Sequence, residues 1–210
     1  AETFEAELAH LLAHQMLAFN APAWLTLGVE PEPQCCTCPI TTVGRTSATA
    51  LDLAGTGELL LRHGSGAGVN LSLLPSAMER DGCGPLPFLS DVEALTEAFR
   101  HAAGAAPPAR SAVLDVEHPD IRAFVTDPAA PSCGTAPTRR AVRLSDAFME
   151  TVVADAWWET RAVASGEIVG RERSRDLLEA IVTRALASGQ PTVQFGDTVN
   201  RWNTCSSWGG

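Results

Sequence analysis

Three of the six cysteines of this chain crowd into one short run, Gln34-Cys35-Cys36-Thr37-Cys38. A Cys-x-x-Cys pair such as Cys35 and Cys38 performs thiol–disulfide exchange or binds a metal. Bridging the adjacent Cys35 and Cys36 is strained. Cys35 and Cys38 can bridge if their Cα atoms lie within ~7 Å. A metal centre asks for two further ligands. Cys83, Cys133 and Cys205 are scattered singly, with no histidine at zinc spacing, which disfavours a metal site. Free cysteine is also a common small core residue. On the residues alone, redox thiol, inert packing residue and metal ligand all stay open.

A second run, Gly64-Ser65-Gly66-Ala67-Gly68-Val69-Asn70-Leu71-Ser72, lets a ligand approach bare backbone. It lacks the lysine of a P-loop and the third glycine position of the dinucleotide fingerprint. A tight turn between helix and strand explains it equally well. His118, in Glu117-His118-Pro119-Asp120, is a candidate acid/base residue, but packing or capping at a helix start is the stronger reading. His10 and His14 share a helix face without the glutamate of a metalloprotease helix. Trp157 and Trp158 read as core.

The elements that must position these residues alternate. Residues 2–19 read as a helix with Phe4, Leu8, Leu11, Leu12 and Phe19 among its apolar positions, broken at Asn20-Ala21-Pro22. Thr46 to Arg62 reads as a second helix. Residues 76–88 read as loop. A helix follows from Ser90 to Ala103, with Ser90 and Glu93 as a capping box. Ala109–Val116 reads as a strand, with a short helix from His118 to Val125 and a loop over 126–138. Ala141–Leu144 reads as a strand, and Ser145 caps a helix to Val153. Trp157–Ala164 reads as a strand, Gly166-Glu167 as a turn, Ser174 to Ser188 as a helix, and Pro191–Phe195 as the last strand. Alternating strands and helices without an internal repeat indicate one α/β domain over residues 1–210 with mainly parallel strands.

Composition narrows the classes. With 210 residues, 45% hydrophobic and 19% charged, the chain is globular. Its net charge of −10, with every basic residue an arginine, argues against a nucleic-acid groove. No apolar run approaches the ~18 residues of a membrane span, and Glu2, Glu5 and Glu7 stand where a secretory signal carries positive charge. A cytoplasmic protein with no membrane partner is expected, its cysteines held as thiols.

Together the motifs resemble one family. Phe19-Asn20-Ala21-Pro22-Ala23-Trp24, then Gly28-Val29-Glu30-Pro31-Glu32-Pro33-Gln34-Cys35 and Cys38-Pro39-Ile40, resemble the adenosylcobalamin-dependent ribonucleotide reductases. So do the Gly64–Ser72 run, Val113-Leu114-Asp115-Val116-Glu117-His118-Pro119-Asp120-Ile121, and Val142-Arg143-Leu144-Ser145-Asp146-Ala147-Phe148-Met149. Trp158-Glu159, Gly189-Gln190-Pro191 and Asn200-Arg201-Trp202-Asn203-Thr204-Cys205 complete a collinear series along essentially the whole chain.

The resemblance implies the first half of a ten-stranded α/β barrel built from two five-stranded parallel halves. It implies that Cys38 is a redox thiol supplying reducing equivalents, and that Thr37 lies beside the substrate. Ala21, Pro22, Gly64, Ser65, Gly66, Ala67, Gly68 and Asn70 would line a ribonucleotide cleft. It further implies adenosylcobalamin as cofactor and a thioredoxin-like reductant. The family's radical cysteine sits in an Asn-x-Cys-x-Glu loop beyond the last matched motif. A second chain or a C-terminal half is therefore expected to complete the barrel. Arg45 and Pro75 replace an Asp and an Arg of the family's effector site, the specificity loop is reduced to Ala102–Arg110, and Asn203 replaces a His. Two other readings follow from these departures: a non-catalytic nucleotide-binding subunit, and a thiol-redox module built on Cys35 and Cys38.

Overall fold

The structure, a computed structural model, describes residues 2–31, 33, 39–44, 50–62, 66–79, 82–103, 110–127 and 138–204. Five strands, β1 (Ile40–Gly44), β2 (Ala67–Leu73), β3 (Arg110–Asp115), β4 (Arg139–Leu144) and β7 (Thr192–Phe195), form one sheet in the order β1-β2-β3-β4-β7. Every neighbouring pair is parallel. A separate antiparallel hairpin joins β5 (Trp157–Arg161) to β6 (Ile168–Arg173).

The strand order never reverses. Crossovers of one hand that always step in one direction place all their helices on the same face. Those helices are α3 (Ala50–Arg62), α4 (Pro85–Ala103), α5 (Ile121–Thr126), α6 (Asp146–Val153) and α7 (Ser174–Ser188). Burial follows suit. Val43, Leu71, Ala112, Leu114, Val142 and Leu144 of the strands join Phe88, Leu89 and Val92 of α4 in one core. Ile121, Phe124, Phe148, Leu177 and Ile181 of the later helices complete it. The opposite face carries Ile40, Gly68, Ser111 and Arg139 in one register row, then Thr42, Asn70, Val113, Ala141 and Thr192 in the next. Ile40 is 75% exposed and Ser111, Arg139, Thr42 and Thr192 are open to solvent. A parallel sheet with one covered and one open face is a partial barrel, its open face corresponding to the interior.

The helix starts show how sequence dictates the elements. Ser145 caps α6, its Oγ accepting from the Phe148 amide at 3.3 Å. Gly189 ends α7 in the left-handed region at φ 73°. Several expected boundaries move. The first helix, α1 (Glu2–Ala13), stops short of residue 19. Pro22 does not merely break it: Asn20 caps a new short helix, α2 (Ala21–Thr26), with the proline in its first turn, where a missing N–H costs nothing. Likewise α4 begins at Pro85, inside the span read as loop, so Ser90 lies within the helix and caps nothing. Glu93 accordingly turns outward from the expected box, and its Oε1 accepts from the Thr138 amide at 3.1 Å. Sequence reading also passed over β1, β6 and α8 (Gly196–Arg201). Trp158 is half-buried, edge-on to Phe148 at 5.1 Å, with Nε1 donating to the Val116 carbonyl at 3.0 Å. Trp157, expected in the core, is 49% exposed between the guanidinium groups of Arg171 and Arg173. Among the described residues, no helix is long and apolar enough to cross a membrane.

Candidate functional site

Four of the expected cleft residues, Gly66, Ala67, Gly68 and Asn70, lie at the start of β2. Gly68 opens the contact between β1 and β2: its amide donates to the Pro39 carbonyl at 2.9 Å, and its Cα pairs with Ile40. A Cβ at Gly68 would meet Ile40 Cγ1 at 3.1 Å and Ser111 Oγ at 3.4 Å, so the open face is tight here and a side chain would crowd it. Asn70 lies one row further along the same face. Its Oδ1 accepts from the Ser72 amide at 3.1 Å. That contact orients the side-chain amide, so the Nδ2 donors are the end left for a ligand. Gly66, Ala67, Gly68 and Asn70 thus share one strand start and one stretch of backbone, with Gly68 and Asn70 on the open face.

Ala21 and Pro22 occupy the first turn of α2. Asn20 Oδ1 accepts from the Ala23 amide at 3.1 Å, and Phe19 meets Trp24 edge-on at 5.9 Å. The hydrogen bonds that shape this turn run within residues 20–30. Cys35, Cys36, Thr37, Cys38, Gly64 and Ser65 lie outside the described residues, as do Arg45, Cys133 and Cys205. Cys83 is described and exposed. Burial of its sulfur and the nearby Asp91 push its pKa up, so it is not an activated thiolate. Among the described residues no group of three His, Cys, Asp or Glu is placed to hold a metal ion.

His118 is 2% exposed. Its Nε2 donates to the Leu74 carbonyl at 2.8 Å, and its Nδ1 accepts from the Asp120 amide at 3.0 Å. Both ring nitrogens are therefore engaged with backbone, which fixes one neutral tautomer. Asp120 adds a bond from Ser76 Oγ at 2.7 Å. The His118-Pro119-Asp120 turn is a clamp on the loop after β2, as the packing reading expected, and not an acid/base centre.

The other end of the sheet holds a cluster that sequence reading missed. Asp115 and Arg143, register partners on β3 and β4, form a two-point ion pair. Ser145 Oγ donates to Glu117 at 2.6 Å, and Asp197 Oδ2 accepts from the Asp146 amide at 2.7 Å. With Gly196 and Asn200 these residues surround a cavity of about 300 Å³. The hydrogen bond from Asp115 raises the Arg143 pKa, against burial, and the charges of Asp115 and Glu117 add to it. One cation facing three carboxylates leaves the cavity net negative. It suits amines, hydroxyls or cations and repels phosphate. The signal was available, since Asp115, Glu117, Arg143 and Ser145 all fall in motifs quoted for the family.

An open-faced, singly wound parallel sheet with helices on one side is the architecture of a partial α/β barrel domain. The chain matches the family "Ribonucleotide reductase, barrel domain" over residues 37–209. It is 30% identical over 236 residues to the vitamin B12-dependent ribonucleotide reductase of Streptomyces clavuligerus, covering 100% of this chain and 25% of that protein. It is 24% identical over 271 residues to the like-named protein of Rhodopirellula baltica, covering 99% of this chain and 26% of that one. Against the vitamin B12-dependent ribonucleoside-diphosphate reductase of Mycobacterium tuberculosis it is 33% identical over 150 residues, covering 69% of this chain and 22% of the other. The chain belongs to the ribonucleotide reductase barrel-domain family. It spans about a quarter of the length of these relatives.

Proposed function

We propose that this chain is the first half of the catalytic barrel of a vitamin B12-dependent ribonucleotide reductase. It reduces a ribonucleotide together with the remainder of the barrel, on the same polypeptide or a partner chain. Cys38 supplies one thiol of a redox pair. Loss of the 2′-hydroxyl as water consumes two electrons, which leave the thiol pair as a disulfide. A thioredoxin-like dithiol then restores the thiols. The radical cysteine and the second thiol of the pair belong to the remainder of the barrel. The site of action is the cytoplasm, where thiols persist.

The observation that supports this reading is the bond between the Pro39 carbonyl and the Gly68 amide. Pro39 follows Cys38 directly in the sequence, and the family resemblance assigns the redox thiol to Cys38. Gly66, Ala67 and Gly68 offer backbone to the nucleotide, and Asn70 Nδ2 offers donors. The family resemblance assigns Thr37, Ala21 and Pro22 to the same cleft.

Adenosylcobalamin would supply the radical. His118 has both ring nitrogens engaged, and Cys83 sits in an exposed surface loop. The cofactor is therefore assigned to the remainder of the reductase, and no step here runs through it.

A binding experiment tests the cleft. Gly68→Ala should weaken ribonucleoside diphosphate binding at least ~10-fold by blocking backbone approach while unfolding within about 1 kcal/mol of the parent. Unchanged affinity in that variant removes the glycine run from the nucleotide site.

A further inference from the structure

One buried cation among the described residues uses only part of its hydrogen-bonding capacity. Arg110, the first residue of β3, is 8% exposed and sits on the helix-covered face. Its Nη1 donates to Thr96 Oγ1 at 2.5 Å, and that hydroxyl in turn donates to the Val92 carbonyl at 2.7 Å. Nε and Nη2 of Arg110 have no partner, and neither has Oγ1 of Thr138, which is 4% exposed. Both residues line a cavity under α3 and α4 with about 40 Å³ of inner space. That exceeds the roughly 10–15 Å³ one water needs and admits a carboxylate group. Leu53, Val69, Leu89 and Val92 supply apolar wall, and Thr41, Thr56 and Ser111 add hydroxyl-bearing side chains to the lining.

Nε and Nη2 form one edge of the guanidinium plane, the edge that meets a carboxylate with two parallel hydrogen bonds. Buried donors left unmade are costly, and a buried charge more so. Burial pushes the Arg110 pKa down, while the charges of Glu93 and Glu97 push it back up. Those two carboxylates are otherwise occupied: Glu93 accepts from the Thr138 amide and Glu97 pairs with His101.

We propose that this cavity binds a monocarboxylate with a short apolar tail, its carboxylate on the Arg110 Nε–Nη2 edge and Thr138 Oγ1, its tail against the leucines and valines. A single cation balances a single negative charge. A phosphate dianion would need more donors and would face the Glu93 carboxylate across Thr138. Arg110 and Thr138 hold the helix side of this cavity, while Pro39, Gly68 and Ser111 border it at the start of the sheet beside the glycine run; the proposal does not rest on the reductase reading.

The test titrates the full 210-residue chain with sodium butyrate, at ionic strength held by chloride, against butyramide and inorganic phosphate. Butyrate should raise the melting temperature saturably, and the other two should not. Arg110→Met should lose the response. Thr138→Val, which keeps the cation, should weaken it at least ~10-fold, the scale of a hydrogen bond to a charged group. No response of the wild-type chain overturns the proposal, leaving the cavity to water. So does an equal response in Arg110→Met, or a response to phosphate in place of butyrate.

Discussion

Asp115 and Arg143 face each other across β3 and β4, and the guanidinium grips both carboxylate oxygens, Nε to Oδ1 at 2.5 Å and Nη2 to Oδ2 at 2.9 Å. The stem of Arg143 does a second job. Gly196, the first residue of α8, packs so closely on it that a Cβ there would lie 2.9 Å from Arg143 Cγ and 3.0 Å from Cδ. One side chain thus locks two central strands and the start of the helix that leads into Asn200-Arg201-Trp202-Asn203.

Removing either end of this grip should destabilise the fold. Both side chains are about one-third exposed, so solvent screening tempers the cost. Arg143→Met should lose about 1–2 kcal/mol and Asp115→Asn about 1 kcal/mol, with a coupling of about 1 kcal/mol in the double-mutant cycle. Urea unfolding of the four proteins measures it. Strict additivity would mean the pair contributes only as two separate residues.

Glu79 ties the loop after β2 to the tip of the hairpin. Its carboxylate accepts from the amides of Ser76 at 2.9 Å, Val163 at 3.1 Å and Ala164 at 2.9 Å. Burial alone raises its pKa, but the three amide hydrogen bonds outweigh it and hold the group below the usual 4.5. A depressed carboxylate stabilises the fold above its unfolded pKa and loses that contribution as pH falls through the folded value. Glu79→Gln should therefore cost about 1 kcal/mol at neutral pH and progressively less at acid pH, as the pH falls through the folded value. Denaturant midpoints at neutral and acid pH read this directly. A pH-independent difference would show that the charge plays no part.

His118 should matter for stability and not for chemistry. His118→Phe strands the buried Leu74 carbonyl and the Asp120 amide, which should cost about 2–4 kcal/mol for two unmet backbone groups. Nucleotide affinity of the protein that remains folded should match the parent. A loss of affinity with stability unchanged would reverse this assignment.

Much of the helix-and-strand order was legible because periodicity and caps agreed. Ser145 ahead of an apolar helix and the long stretch ending at Gly189 are two such places. What escaped were elements whose residues carry mixed signals. Ile40-Thr41-Thr42-Val43-Gly44 is a short edge strand directly after a sequence rich in proline and cysteine. β6, Ile168-Val169-Gly170-Arg171-Glu172-Arg173, has a charged outer half that reads as surface. Pro85 and Pro87 read as loop until a helix start is known, where proline fits well. The glycine run was legible as a place for close backbone approach. Its neighbour Pro39 was not, because strand register sets that pairing and a single sequence does not state register. The Asp115–Arg143 pair escaped for the same reason. The two residues are 28 positions apart and meet only once β3 and β4 align.

The most direct test of the central claim is nucleotide reduction. The chain is combined with the remainder of the barrel, adenosylcobalamin, a dithiol and a ribonucleoside diphosphate, and deoxyribonucleotide is measured for the parent and for Cys38→Ala. The account predicts product with the parent and at least a ~1000-fold loss in Cys38→Ala, a deficit of about 4 kcal/mol in the barrier, with nucleotide binding retained. Full turnover in Cys38→Ala, or no product from the parent in the reconstituted mixture, would contradict it.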